Sequence, residues 1–201
     1  MKKNFLITSA IAICFLFTLT NSYGNNLQDM FSQKNYQEIS QNLSAQLEKA
    51  HKKSLGDWPP SECSKEVSLI IVNKPKNVMY LYDTTNCLVK QYEVRLGKYY
   101  GPKRFEGDRK TPEGVYLIEN KYESKKYEKF LLINYPNKQQ EKYAEAKGLS
   151  AGGEVGIHFF ASEKLRDSQG CITVKTKEEI NEIYELVNIG TRIIILPDNT
   201  K

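Results

Sequence analysis

The chain has 201 residues, of which 40% are hydrophobic and 26% charged, and its formal net charge is +5. A positive balance this small does not favour nucleic acid as a partner, although it is compatible with an anionic polymer. The length suffices for one domain with a sizeable core.

The first 24 residues are predicted to be a secretory signal peptide. Two lysines at positions 2 and 3 precede an apolar run from Phe5 to Leu19, and the small residues Ser22 and Gly24 suit a cleavage site. The alternative is an uncleaved membrane anchor, which the shortness of the run disfavours. We therefore expect an exported protein of 177 residues and net charge +3, located in the periplasm or cell wall. No stable membrane insertion is expected after cleavage.

Residues 25–60 are predicted to form an N-terminal helical arm. Ile39, Leu43 and Leu47 recur every four residues, which is the spacing of one face of a helix. The Trp58-Pro59-Pro60 segment ends this pattern. The main domain is expected to span residues 61–201.

From Val67 onward, short apolar and alternating runs are typical of strands. Strands are predicted at residues 67–72, 77–82, 88–96, 115–119, 130–135, 155–160 and 191–196. Short helices are predicted at residues 141–147 and after the capping box Thr176–Glu179, the second ending at Gly190. The sequence thus predicts a mainly β domain of antiparallel strands with a few short helices.

Three cysteines remain after signal removal. Cys63 precedes a predicted strand and Cys87 follows the next one, so we expect them to pair in an oxidising compartment and leave Cys171 free. The alternative is three buried thiols. Two histidines and dispersed cysteines do not have the spacing of zinc ligands, so no metal site is expected.

Cys171 and His158 are the candidate catalytic pair. A thiol does covalent chemistry as a thiolate, and a neighbouring imidazole is a common means of forming one. Gly170 allows a sharp turn that brings backbone amides close to the sulfur. Residues 97–114 contain four glycines and two prolines, which favours a fixed loop beside a site.

The ordered motifs of the chain resemble those of the L,D-transpeptidase catalytic-domain family. The resemblance runs from about Leu69 to Pro197 and implies a catalytic β-sandwich or barrel. It also implies a cysteine nucleophile acting on peptidoglycan stem peptides. The motifs that carry it are Gly101-Pro102-Lys103-Arg104, Glu106-Gly107-Asp108, Thr111-Pro112-Glu113-Gly114, Ile157-His158 and Ser168-Gln169-Gly170-Cys171-Ile172.

The resemblance also implies residue roles. Cys171 would be the nucleophile and His158 its base, oriented by the backbone carbonyl of Phe159. The amides of Gly170 and Cys171 would donate to an oxyanion, and Ser168 would shape the nucleophile loop. No metal or organic cofactor is required by such a mechanism.

The chain departs from the family pattern at three positions. Gln169 replaces a frequent histidine, Phe159 replaces a glycine and narrows the mouth of the site, and Thr173 replaces an arginine that can meet a substrate carboxylate. A carboxylate clamp would then have to come from cations elsewhere, and the substrate-binding candidates are Lys103, Arg104 and Arg166, together with Ser168, Gln169 and Tyr100. Tyr100 either lines a groove or packs on the sheet.

Three functions remain open from the sequence. The first is a transpeptidase that releases the terminal D-alanine of a tetrapeptide stem and transfers the acyl group to an acceptor amine. The second is an L,D-carboxypeptidase, in which water resolves the same acyl-enzyme and leaves a tripeptide. The third is a non-catalytic wall-binding module.

Overall fold

A computed structural model describes residues 63–159 and 167–198. The predicted signal peptide (1–24), the predicted helical arm (25–60) and Arg166 lie outside the described residues. Among the described residues, no helix is both long enough and apolar enough to span a membrane.

The described part of the chain is mainly β, with eight strands and two short helices. The strands are β1 (Val67–Asn73), β2 (Val78–Tyr82), β3 (Leu88–Glu93), β4 (Gly114–Ser124), β5 (Glu128–Ile133), β6 (Gly156–Phe159), β7 (Ile172–Val174) and β8 (Val187–Leu196). The helices are α1 (Lys138–Glu145) and α2 (Lys177–Leu186). The predicted mainly β fold class is confirmed.

The strands form one sheet in the order β3-β2-β1-β8-β4-β5-β6-β7. Two isolated bridges, Arg95 with Thr173 and Gly97 with Ser168, connect the chain just after β3 to the region of β7. These bridges link the two ends of the sheet, so the domain is a nearly closed barrel.

Two strand pairs are parallel, contrary to the all-antiparallel expectation. β8 runs parallel to β1, and β7 runs parallel to β6. Strand β1 is buried along nearly its whole length, and its continuous apolar run is typical of a strand covered on both faces. The direction of a neighbouring strand depends on how the intervening chain returns, which local alternation of residues does not encode.

The core is built from branched aliphatic residues of the central strands. Ile70, Ile193 and Ile195 are fully buried on the paired strands β1 and β8. Helix α2 covers this core with Ile180 and Ile183, which are both fully buried. Helix α2 thus packs on the core of the barrel, and β6 and β7 stand last in the strand order.

The helix boundaries follow side-chain caps. Thr176 begins α2 with the predicted capping box, in which its hydroxyl accepts from the Glu179 N–H. α2 ends at Leu186 rather than at Gly190, because Val187 is already paired with β1. α1 begins at Lys138 rather than 141, because Asn137 forms a capping box with Gln140.

Candidate active site

The parallel pair β6–β7 positions the candidate nucleophile next to the candidate base. Ile157 pairs with Ile172 and His158 pairs with Thr173. Cys171 immediately precedes β7, so it lies level with Gly156. The pair β6–β7 therefore places the Cys171 turn beside the strand that carries His158.

His158 is held by its own strand. Its ring is 3% exposed, and its Nδ1 lies 2.8 Å from the backbone carbonyl oxygen of Phe159. A carbonyl oxygen only accepts, so in the neutral ring Nδ1 carries the proton and Nε2 has the lone pair. This is the tautomer that a general base requires.

An aromatic cluster from the β4–β5 hairpin packs around the imidazole. The Tyr127 ring centroid lies 4.3 Å from that of His158, and the Phe130 ring stacks on His158 at 5.3 Å and 13°. Tyr122 in turn stacks on Phe130 at 5.2 Å. Gly156 permits this arrangement, because a Cβ atom there would clash with the Phe130 ring.

Ser168 organises the loop that carries the nucleophile. Its hydroxyl donates to the Cys171 carbonyl at 2.5 Å and accepts from the Gly170 N–H at 3.0 Å, and its own N–H donates to the Leu96 carbonyl at 2.8 Å. Gly170 has φ +134°, and a Cβ there would lie 2.7 Å from the Lys110 carbonyl oxygen. Both the hydroxyl and the glycine are needed for this turn.

The Gly170 amide does not have the orientation expected of an oxyanion donor. It is directed to the Ser168 hydroxyl, so in this arrangement it does not donate to an oxyanion. The amide of Gly156 instead donates to the sulfur of Cys171 and acts to lower the pKa of that thiol. The Cys171 amide remains the predicted oxyanion donor.

Burial favours the neutral forms of both candidate catalytic groups. Burial raises the pKa of the Cys171 thiol, against the smaller opposing effects of the Gly156 amide and the Lys103 charge. Burial lowers the pKa of His158, and the Lys126 charge adds to that effect. The resting pair is therefore a thiol and a neutral imidazole rather than a thiolate and an imidazolium.

Lys103 lies behind the nucleophile loop in a buried ion pair. Its ammonium donates to Asp108 at 3.0 Å and to the Phe105 carbonyl at 2.9 Å, and the lysine is 5% exposed. The Asp108 carboxylate also accepts from the backbone N–H groups of Arg104, Phe105 and Lys110. Lys103 is thus engaged by its own loop, and its contact with substrate stays a prediction.

The other predicted substrate residues are dispersed. The Arg104 guanidinium lies over the Tyr143 ring at 4.6 Å, and Gln169 is exposed next to the nucleophile turn. Tyr100 is 68% exposed, so of its two alternatives it does not pack on the sheet. Arg166 lies outside the described residues.

Three residues near the site were missed by the sequence prediction. Tyr122, Lys126 and Tyr127 belong to the β4–β5 hairpin, whose strands extend beyond the predicted ranges 115–119 and 130–135. The polar residues in the second half of β4 concealed its length. The aromatic residues flanking the two lysines of the turn are the signal that could have found this hairpin.

The predicted disulfide partners lie together, away from the site. The structure joins Cys63 to Cys87, with Cα atoms 5.5 Å apart, which is typical of disulfides, while Cys171 is free. Asp83 lies close to both cysteines, and these three residues are the one set of three potential metal ligands among the described residues. Its carboxylate accepts from the N–H groups of Ser64, Thr85 and Cys87, so its oxygens are already engaged.

A family model identifies the family of the chain. The YkuD family, described as the L,D-transpeptidase catalytic domain, matches residues 68–195. Because this match covers more than half of the sequence, the chain belongs to the L,D-transpeptidase catalytic-domain family. The family acts on peptidoglycan stem peptides and consists of cell-wall enzymes, which implies an extracytoplasmic location. No curated protein matches the chain significantly.

Solved structures resemble the chain at low sequence identity, and the first of them shares its fold. The helical cell shape determining protein Pgp2 from Campylobacter jejuni superposes with a TM-score of 0.55 at 20% identity, over 67% of this chain and 49% of that one. An L,D-transpeptidase from Enterococcus faecium gives 0.47 at 19% identity, over 65% and 50% of the two chains. The present chain therefore spans about half the length of these relatives.

Proposed function

We propose that this protein is a peptidoglycan L,D-transpeptidase with Cys171 as nucleophile and His158 as general base. The observation that carries the proposal is the placement of His158, with Nδ1 bonded to the Phe159 carbonyl, across the parallel strand pair from the Cys171 turn. In a family of cysteine acyltransferases, this arrangement leaves Nε2 as the group that can accept a thiol proton.

The acylation step follows from the neutral resting pair. The thiol proton moves to Nε2 of His158 as the Cys171 sulfur attacks the carbonyl carbon of the third stem residue. The Cys171 amide donates to the developing oxyanion. When the tetrahedral intermediate collapses, the imidazolium returns the proton to the leaving D-alanine amine, and a thioester remains on Cys171.

Resolution of the thioester decides between two activities. Attack by the side-chain amine of a second stem gives a cross-link, whereas attack by water gives a tripeptide. In either case the attacking group loses its proton to His158, and the Cys171 thiol is regenerated. The aromatic hairpin around His158 supports the transpeptidase, because apolar walls limit the access of water to the thioester. The location that we propose is the periplasm or cell wall.

The test is incubation of the purified mature protein with disaccharide-tetrapeptide muropeptides, followed by mass spectrometry. A cross-linked dimer lacking one D-alanine would support the transpeptidase, and tripeptide alone would support the carboxypeptidase. Cys171→Ala is expected to abolish both products with an unchanged circular dichroism spectrum. Wild-type rates in Cys171→Ala would refute the mechanism, and no product from the wild type would favour the wall-binding module.

A further inference from the structure

A stem peptide with a free C-terminus brings carboxylates to the site, and the described cations that were predicted to meet them are engaged elsewhere. Lys103 is buried against Asp108, and Arg104 lies over Tyr143. Thr173 occupies the position at which an arginine would enter the site, and it is 1% exposed. The β4–β5 hairpin offers a further candidate cation for such a carboxylate.

The turn of the β4–β5 hairpin supplies a cation at the mouth of the site. The Lys126 ammonium lies over the Tyr127 ring at 4.7 Å, and that ring lies 4.3 Å from the His158 ring. Lys126 is exposed, so its ammonium is accessible to a ligand from solvent. The Tyr127 ring therefore contacts both the Lys126 ammonium and the ring of the candidate base His158.

The electrostatics of the site agree with this placement. Burial is the main cause of the lowered pKa of His158 and of the raised pKa of Cys171, and the positive charge of Lys126 adds to the first shift and opposes the second, so it acts on both groups. Its own pKa is raised, mainly by its interaction with Tyr127, so the ammonium stays charged at neutral pH. Glu154, whose backbone carbonyl lies 3.6 Å from the Cys171 sulfur, contributes a negative charge near the thiol.

We propose that Lys126, held over the Tyr127 ring, binds a carboxylate of the stem peptide and orients the peptide across Cys171. This inference rests on the proposed function, because it concerns the donor substrate of that same site. Lys126 is a substrate-binding residue here, and the chemical step belongs to Cys171 and His158.

Two carboxylates flank the bond that is cleaved and have the required chemistry. One is the C-terminal carboxylate of the D-alanine that leaves, and the other is the side-chain carboxylate of a third residue such as a diamino diacid. The inference concerns the carboxylate–ammonium contact common to both. Substrates with one or both groups converted to amides distinguish the two sources.

The experiment compares wild type, Lys126→Met, Lys126→Arg and the matched control Lys125→Met. Each variant is assayed for kcat and KM on the tetrapeptide, on its two mono-amidated forms and on the fully amidated form. Lys125 is the neighbouring exposed lysine of the same turn, so its variant removes the same charge from the hairpin without the contact to Tyr127. Unchanged melting temperatures confirm that each variant is folded.

We expect Lys126→Met to lower kcat/KM on the tetrapeptide by about three- to tenfold, mainly through KM, because an exposed ion pair contributes modestly to binding. Lys126→Arg should retain most of the activity and Lys125→Met should match the wild type. The Lys126→Met defect should vanish on the substrate whose contacting carboxylate is amidated.

Two results would overturn the inference. Equal kcat/KM for Lys126→Met and wild type on the tetrapeptide would exclude the contact while leaving the proposed function intact. A Lys126→Met defect that persists undiminished on the fully amidated substrate would show that Lys126 acts without a carboxylate. If the wild type turned over none of these substrates, the proposed function itself would instead be refuted.

Discussion

Replacing Asp108 with alanine should destabilise the protein by about 3 kcal/mol, because it removes one partner of a buried ion pair. Lys103 would keep its ammonium in a position where the lysine is 5% exposed, with no carboxylate to compensate it. Three backbone N–H groups would also lose their acceptor. Since Asp108 itself is only half-buried, water can reach some of these groups, which places the estimate at the low end of the usual 3 to 5 kcal/mol.

The two oxygens of Asp108 predict that asparagine will not rescue this loss. Oδ1 accepts from Lys103 and from the Lys110 N–H, while Oδ2 accepts from the Arg104 and Phe105 N–H groups. An amide placed here turns its NH₂ group toward one of these two pairs of donors, whichever way it is oriented. Asp108→Asn should therefore be nearly as destabilising as Asp108→Ala.

The assay is urea unfolding together with thermal melting. A loss of about 3 kcal/mol corresponds to roughly 6 to 12 °C in melting temperature for a domain of this size. The exposed neighbour Glu106, changed to glutamine, is the control and should shift stability by less than about 0.5 kcal/mol. In the double variant with Lys103→Met, the loss should be smaller than the sum of the single losses, because no buried charge is left unpaired.

The pKa of the Asp108 carboxylate predicts how the stability difference between wild type and Asp108→Ala depends on pH. Burial acts to raise the pKa of Asp108, but the hydrogen bonds from Arg104, Phe105 and Lys103 outweigh it and hold the pKa below its usual value. Its stabilising effect is thus present above the unfolded-state pKa of about 3.9 and is lost as the pH falls through the lower folded-state pKa. A cost below about 1 kcal/mol for Asp108→Ala at pH 7, as for a surface ion pair, would refute this reasoning.

Two further predictions concern the base. The lowered pKa of His158 keeps its ring neutral to a lower pH than an unshifted imidazole, which is half protonated at about pH 6.5. At pH 6.5, kcat/KM should therefore exceed half of its plateau value. A midpoint of the pH–rate profile at or above 6.5 would contradict this. Gly156→Ala should cost about 1 to 3 kcal/mol of stability by overpacking, because an added Cβ would lie 2.3 Å from the Leu131 carbonyl oxygen and 2.4 Å from the Phe130 ring. It should also lower kcat by displacing Phe130 from the His158 ring. Gly153→Ala, at an exposed position where an added Cβ meets nothing within 4 Å, is the control; equal stability of the two variants would show that the close contacts at Gly156 are unimportant.

Much of the fold was predictable because its signals are local in sequence. The continuous apolar run of β1 and the capping box at Thr176 depend on residues within a few positions of one another. The ordered motifs around His158 and Cys171 also indicated the family, which the match to residues 68–195 confirmed.

The remaining features of the fold and site required the tertiary structure, because they depend on contacts between distant segments. The sequence alone determined which residues are candidates for the chemistry, because a cysteine next to a glycine and a histidine near the end of a predicted strand can be read directly from it. Only the tertiary structure decided that Lys103 faces Asp108, that the Gly170 amide turns to Ser168, and that the hairpin turn brings Lys126 toward His158. The direction of a side chain depends on which neighbour offers the better partner, and those neighbours become adjacent only when the barrel closes.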